Sequence, residues 1–330
     1  MKDTEQDESK LKRELDRKPA FSGVSWGLSC GLFCLGIWIS GHALAWNGAG
    51  HRLVAYLAWT RLSPQSQQQC AQLLRHHPDY ARWAESVGQG TQRSAMIFSE
   101  ASTWADEIRR DGRFHGTGEA ETPPLLGFPD MLRHTHWHYA DTSSSEEEHL
   151  YTALPRLYGM LADTHRSPHA RAYALVWLIH LLGDAHQPLH NGFRNDRGGN
   201  EFEVIVFGRE KNRTMNLHSF WDELPGPTDL RGIRLIRTAE ALVNGKKMPL
   251  EARPDFLRWQ AENLRLSYQF SYPDSTVAPA VLSTRFIERA QQITRKQLQV
   301  AGGRLALVIE MALRGFAGHS PTPFEPNSQR

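Results

Sequence analysis

Two short segments, LIHLLGDAHQPLH and NLHSFWD, each set a histidine four residues ahead of an aspartate, His180 with Asp184 and His218 with Asp222. Four residues is close to one helical turn, so each pair shares one face of a helix. A fold that buries both helices must give these imidazoles and carboxylates a partner. One such pair arises easily by chance, and a lone buried histidine is more often a satisfied core residue than a ligand. Two pairs are harder to dismiss, with His190 just past the first and with His51, Asp106 and His138 upstream. Zinc takes His nitrogen and Asp oxygen, usually four donors to an ion. The donors here exceed what one ion can use, so two or three ions sharing a bridging carboxylate are expected.

A ninth donor depends on proteolysis. Residues 1–18 are densely charged, Val24 to Ile39 are mostly apolar, and Ala43-Leu44-Ala45 fits the small-x-small cleavage pattern of a secretory signal peptide. The apolar run is short for a membrane span, which needs about 20 residues. Residues 1–45 are therefore expected to be a cleaved extension and leader, and 46–330 a single catalytic domain with a loose C-terminal tail. Cleavage would leave Trp46 as the new N-terminus, whose amine and carbonyl oxygen can chelate a metal. The expected destination is the periplasm or the exterior, with no stable membrane association after cleavage and a monomeric product.

Charge narrows the partners. The whole chain carries 38 Lys and Arg against 36 Asp and Glu, and the leader removes six of each, so the net stays at +2. That balance is no footprint for tight polyanion binding, and affinity for one must come from a local site, metal ions included. Cys30 and Cys34 lie in the leader, which leaves Cys70 as the one cysteine of the mature chain and rules out an intramolecular disulfide there. A chain of this length can bury a sizeable core without one.

The periodicity is helical almost throughout. Helices are predicted over 50–61, from Ser63-Pro64, over 94–110 with Asp106, over 146–163 and over 168–185, with further ones at NLHSFWD, 251–269 and 280–314. The Gly- and Pro-rich 111–133 reads as a long loop. The clear strand signal is Phe202 to Phe207, with a short return over 213–217. The fold class is all-α, with a minor β-hairpin.

Taken in order, WNGAGH, STWADEIR, HWHYAD, LIHLLGDAHQPLH, DRGGN and NLHSFWD resemble the zinc-dependent single-strand nucleases of fungi, plants and bacteria. This 3'-nucleotidase/nuclease family is related to zinc-dependent phospholipase C. The resemblance runs from Trp46 to about residue 315 and implies a helical bundle holding three zinc ions. One would sit on Asp106, His138, His180 and Asp184, and a second on His190, His218 and Asp222. The third would use Trp46, His51 and Asp184 as a bridge. Spacing alone leaves His134, His136 and His138 open, and likewise His186 and His190; the family pattern selects His138 and His190. His134, His136 and His186 are then expected at the polar surface or just behind the ligands. His76, His77, His115, His149, His165, His169 and His319 read as ordinary solvated side chains.

The resemblance implies hydrolysis of single-stranded DNA and RNA to 5'-phosphates, together with 3'-nucleotidase action. Paired zinc ions about 3.5–4 Å apart hold a hydroxide and clamp phosphodiester oxygens. Asp106 would orient that nucleophile and Arg109 would balance the developing charge, unless Arg109 merely complements a helix dipole. Tyr139 would stack on an unpaired base while Asp141 and Asn200 bond its edge. The plainer readings are core packing for Tyr139, loop capping for Asp141 and turn shaping for Asn200. Two rival functions remain, a phospholipase C of the same architecture and a non-enzymatic zinc-binding export protein. Asp222 stands where the phospholipase branch has Glu.

Overall fold

A computed structural model describes residues 46–140, 148–208, 211–243 and 251–314. The chain folds around one nearly all-buried helix. Ser63-Pro64 and Ser167-Pro168 both start helices with a serine cap and a first-turn proline, giving α2 (Pro64–Leu74) and α7 (Pro168–Asp184). In α7 every side chain from Ala172 to Asp184 is buried, so it can only be the central element. Packed on it or on one another are α1 (Gly48–Trp59), α4 (Arg93–Ala101), α6 (Leu150–Ala162) and the long α11 (Thr284–Leu313). Shorter helices complete the described bundle: α3 (Tyr80–Ser86), α5 (Trp104–Glu107), α8 (Leu217–Glu223), α9 (Gly232–Val243) and α10 (Phe256–Phe270). None of the described helices is long and apolar enough to cross a membrane.

The one described sheet has the order β2-β1-β3. Strand β1 (Glu203–Val206) pairs antiparallel with β2 (Arg213–Asn216), Glu203 opposite Asn216, and β3 (Ala280–Val281) adds in parallel along Val204 and Ile205. Leu189, Phe202, Val204, Leu217 and Trp221 form a small core beneath it, separate from the main one.

Several elements depart from the sequence expectation. The helix predicted over 94–110 breaks after Ala101, because Ser102 Oγ and Thr103 Oγ1 bond back to the carbonyls of Ser99 and Glu100, at 2.6 and 3.0 Å. Asp106 therefore rides on the separate α5, and Arg109 on the 3₁₀ turn Ile108–Arg110 that follows. Helix α6 begins at Leu150 instead of 146, since the His149 ring caps it, and it runs on through Pro155. The stretch read as helical from 280 opens with β3, and α11 begins after the Ser283 cap. Helices α3 and α9 had no sequence counterpart; α3 buries Trp83, and α9 buries only Leu235 and Ala239. The 111–133 loop has no helix, yet it is pinned by Phe114, Phe128 and Met131, with Phe128 4.7 Å from the Tyr173 ring.

Candidate metal centre

Helix α7 carries His180 and Asp184 one turn apart at full burial. His180 Nδ1 donates to the Ser102 carbonyl at 2.7 Å, which aims Nε2 at Asp184 Oδ2, 3.1 Å away. The 3₁₀ turn Thr135–His138 brings in His138, whose Nδ1 lies 2.9 Å from the same Oδ2 and 3.0 Å from His180 Nε2. Asp106 adds its Oδ1 at 3.9 Å from both imidazole nitrogens. Four potential ligand atoms thus converge, from α5, the turn and α7.

The other oxygen of Asp184 faces elsewhere. His51 of α1 sets Nε2 3.4 Å from Asp184 Oδ1 and stacks on His180 at 3.9 Å between ring centres. Gly183 makes room for it, since a Cβ there would come 2.8 Å from His51 Nδ1. Neither His51 nitrogen has a hydrogen-bond partner. Trp46 is wholly buried just ahead of α1, and the neighbouring Asn47 N–H donates to the Asp222 carbonyl at 3.2 Å, tying this end of the chain to α8.

A second cluster forms beside the first. His190, on the 3₁₀ turn Pro188–His190, donates Nδ1 to the His138 carbonyl at 2.6 Å, and His218 donates Nδ1 to the Gly198 carbonyl at 2.7 Å. That carbonyl is presented by a turn in which Gly198 has φ +63°, a left-handed setting suited to glycine. The two Nε2 atoms then meet at 3.2 Å, and Asp222 Oδ2 lies 3.6 Å from His218 Nε2. Gln187 donates Nε2 to Asp222 Oδ1 at 2.8 Å, and its Oε1 accepts the Leu189 N–H within the turn that carries His190.

Some of these atoms bond one another, but both His51 nitrogens and Asp184 Oδ1 are buried with no hydrogen-bond partner. With each Nδ1 hydrogen given to a carbonyl, the Nε2 atoms of His190 and His218 turn toward each other beside Asp222, where either a shared proton or a metal ion can sit. Burial pushes His51, His138 and His190 well below the usual imidazole range. It also pushes Asp184 up to about 6 and Asp222 well above the carboxylate range. On His180, burial works against the charge, but Asp184 and Asp106 outweigh it and raise the imidazole. Neutral imidazoles and proton-hungry carboxylates in one dry space suit a metal, which needs deprotonated ligands. Ligand atoms lie close enough together to hold a metal ion in three overlapping groups, His51 with Asp106 and His180, His138 with His180 and Asp184, and His190 with His218 and Asp222, and these His nitrogens and Asp oxygens are of the type zinc takes.

Arg109 borders the centre. Its Nε lies 3.5 Å from Asp106 Oδ1, and its guanidinium hydrogen-bonds the Tyr139 phenol. Burial opposes its charge, yet Asp106 raises it further. The Tyr139 ring is 4.6 Å from His190, and burial pushes its phenol up to about 12. Asn200 closes its own turn through Nδ2 to the Arg197 carbonyl at 2.7 Å and keeps a buried Oδ1 with no partner. Asp141 lies outside the described residues.

The other histidines follow expectation only in part. Of the two places expected for His186, the polar surface is excluded: it is buried, two residues past Asp184, donates Nδ1 to the Leu182 carbonyl at 2.8 Å and faces Arg304 at 3.1 Å. His77 is not solvated either, for it stacks on Trp83 at 4.7 Å and accepts the Asp79 N–H. His134 stacks on Trp137 at 3.5 Å and pairs with Asp130, while His136 is exposed. Sequence reasoning passed over Gln187 and the carbonyls of Ser102, His138 and Gly198 that orient the ligands. The QPLH spacing put Gln187 in view but gave it no task.

The S1/P1 nuclease family model matches residues 46–314. The chain is similar to Endonuclease 2 of Arabidopsis thaliana, 26% identical over 202 residues, which are 59% of this chain and 58% of that protein. It is similar to Nuclease P1 of Penicillium citrinum, 30% identical over 202 residues, 59% of this chain and 63% of that protein. Endonuclease 4 of Arabidopsis thaliana matches at 23% over 311 residues, 84% of this chain and 92% of that protein. The chain thus spans somewhat under two thirds of Endonuclease 2 and Nuclease P1.

Proposed function

Since the chain belongs to the S1/P1 nuclease family, we propose that it is a zinc-dependent phosphodiesterase acting on single-stranded DNA and RNA. It leaves 5'-phosphate products, removes the phosphate of 3'-nucleotides, and works after export and cleavage behind Ala45. The observation that carries this reading is the convergence of buried ligand atoms: His190 Nε2 lies 3.2 Å from His218 Nε2, both rings locked by carbonyls, with Asp222 beside them.

The residues divide the work. Asp106, His138, His180 and Asp184 would hold one ion, and His190, His218 and Asp222 another. Trp46, through its freed amine and carbonyl, would hold the third with His51 and Asp184. The two oxygens of Asp184 already face different partners, Oδ2 the His138 and His180 rings and Oδ1 His51, as a bridging carboxylate requires. When bound there, zinc would supply a water of near-neutral pKa and polarisation of the phosphodiester oxygens. Asp106 orients the attacking water through its carboxylate. Arg109, held by Asp106 and Tyr139, sets a permanent positive charge where the phosphoryl oxygens gain negative charge. Tyr139 offers a ring beside His190 for an unpaired base, and Asp141 and the spare Oδ1 of Asn200 offer acceptors for its edge.

The test uses zinc-loaded protein beginning at Trp46, assayed on single- and double-stranded DNA, RNA, 3'-AMP and phosphatidylcholine. Cleavage of the single strands and of 3'-AMP, abolished by a strong chelator, with three zinc ions per chain, is the expected result. Cleavage of phosphatidylcholine alone would move the chain to the phospholipase branch. One tightly bound ion with no turnover on any substrate would make it a structural zinc protein.

A further inference from the structure

The loop between His190 and Asn200 is fixed to the metal-ligand residues at both ends, for it starts at His190 and presents the Gly198 carbonyl to His218. Against it lies a group of rings that neither the ligand set nor the base contacts above use. Phe193 sits 5.2 Å from the Tyr268 ring of α10 and 5.5 Å from the ring of Tyr272, just past that helix. The Arg194 guanidinium lies over Tyr272 at 3.9 Å and 5.6 Å from Phe193. Tyr272 fixes the loop from below, its hydroxyl donating to the Asp196 carboxylate at 2.7 Å, while Asp196 accepts the Gly199 N–H at 2.9 Å.

Packing explains Tyr272 and leaves Tyr268 over. Tyr272 is part-buried and bonded, whereas Tyr268 is 73% exposed although its ring touches Phe193. A ring that only closed the loop onto α10 would be covered. Exposed Arg265 stands one turn before Tyr268 on the same helix and, with Arg194, sets two guanidiniums about the rings, while the Asp196 carboxylate lies beneath Tyr272. Aromatic faces beside arginines are how proteins hold unpaired bases without reading their identity, since every base has a π-face and a neighbouring phosphate.

We propose that Tyr268, Phe193 and Arg194 form a stacking platform for a second unpaired base of the substrate strand, outside the pocket at Tyr139; this rests on the single-strand substrate proposed above. The platform is sequence-tolerant and engages strands, and 3'-mononucleotides do not reach it.

Anisotropy of a short labelled single strand with a hydrolysis-resistant phosphorodithioate backbone measures binding directly. Tyr268→Ala is expected to weaken that binding about tenfold, the usual scale for losing one base–aromatic stack, while Tyr268→Phe keeps wild-type affinity. An abasic strand of equal charge should bind both proteins alike, and hydrolysis of 3'-AMP by Tyr268→Ala should be unchanged. Equal affinity of wild type and Tyr268→Ala for the base-bearing strand would overturn the platform, as would an equal loss on the abasic strand. Cleavage of natural single-stranded DNA by wild type is measured alongside. If it fails while Tyr268→Ala still weakens binding, the nuclease reading falls and the platform stands; if it succeeds with no Tyr268 effect, the platform alone falls.

Discussion

Asp184 and His186 are two residues apart and equally buried, yet they belong to opposite kinds of polar cluster. Behind α7, the donors around His186 meet acceptors. His186 lies between the Leu182 carbonyl and Arg304, Arg304 pairs with Glu251 and Glu262, and Gln297 donates to Asn263. In front of it, Asp184 Oδ1 and both His51 nitrogens lack partners, while Asp184 Oδ2 meets two imidazoles. A buried histidine beside a carboxylate is thus ambiguous by itself. Orphaned buried ligand atoms are what separate a cation site from a closed network.

The largest expected break in this contrast comes from Asp184→Asn against His186→Ala. The first removes a bridging anion and should lower turnover on single-stranded DNA at least about 10²-fold, with loss of bound zinc. The second should keep its zinc and most of its activity but lose roughly 1–3 kcal/mol of stability, because Arg304 is left with one partner fewer. Turnover, elemental analysis and urea unfolding check both, and equal activity losses would dissolve the distinction.

Arg109 and Arg304 sharpen it next. Arg304 spends its charge on two glutamates, while Arg109 has Asp106 at 3.5 Å, an anion shared with the front cluster. Arg109→Ala should lower kcat by about 10²-fold at unchanged zinc content. Unaltered turnover would reduce Arg109 to a complement of its helix end.

Gln187 borders both clusters, and Gln187→Ala should weaken one of the ions by about 10- to 100-fold, the range for losing a group that orients a ligand. Zinc titration against a competing chelator reads this, and three unchanged affinities would show that Asp222 needs no such support. Retaining a residue before Trp46 turns its amine into an amide, whose delocalised lone pair is a poor ligand. Such protein should hold one zinc fewer than exported protein and turn over more slowly, and identical zinc counts would remove Trp46 from the ligand set.

The smallest effect is on pH dependence. Burial raises the Asp184 carboxyl from 3.8 to about 6, so in metal-free protein it contributes stability that is full below pH 3.8 and is lost as pH rises through about 6. Zinc should reverse that slope, because it replaces the proton as pH rises. Chemical unfolding with and without zinc across this window checks the sign, and parallel curves would show that Asp184 is not where zinc competes with protons.

Much of this was legible in the sequence because the physics was local. Helix α7 was predicted over 168–185 and spans Pro168–Asp184, since a serine cap, a proline and an unbroken apolar run specify it within its own span. The donors of the first cluster, collected from α5, a 3₁₀ turn and α7, came from motif order rather than periodicity. What stayed hidden was set by contacts distant in the chain. The break at Ser102 frees a carbonyl for His180, 78 residues on, and no window of sequence displays that bond. His77 looked solvated because its polar neighbours did, although Trp104 and Phe128 close over it.

His138 serves two neighbours at once. Its ring belongs to the Asp184 cluster and its carbonyl orients His190 in the other, on a turn that starts from His134 at φ +43°. In linkage terms the two pockets share one degree of freedom, the setting of that turn. An ion bound on either side would hold that turn in the setting the other side needs, so the coupling would be positive and reciprocal. Loading should then be cooperative, with the half-filled protein the rarest species in a zinc titration.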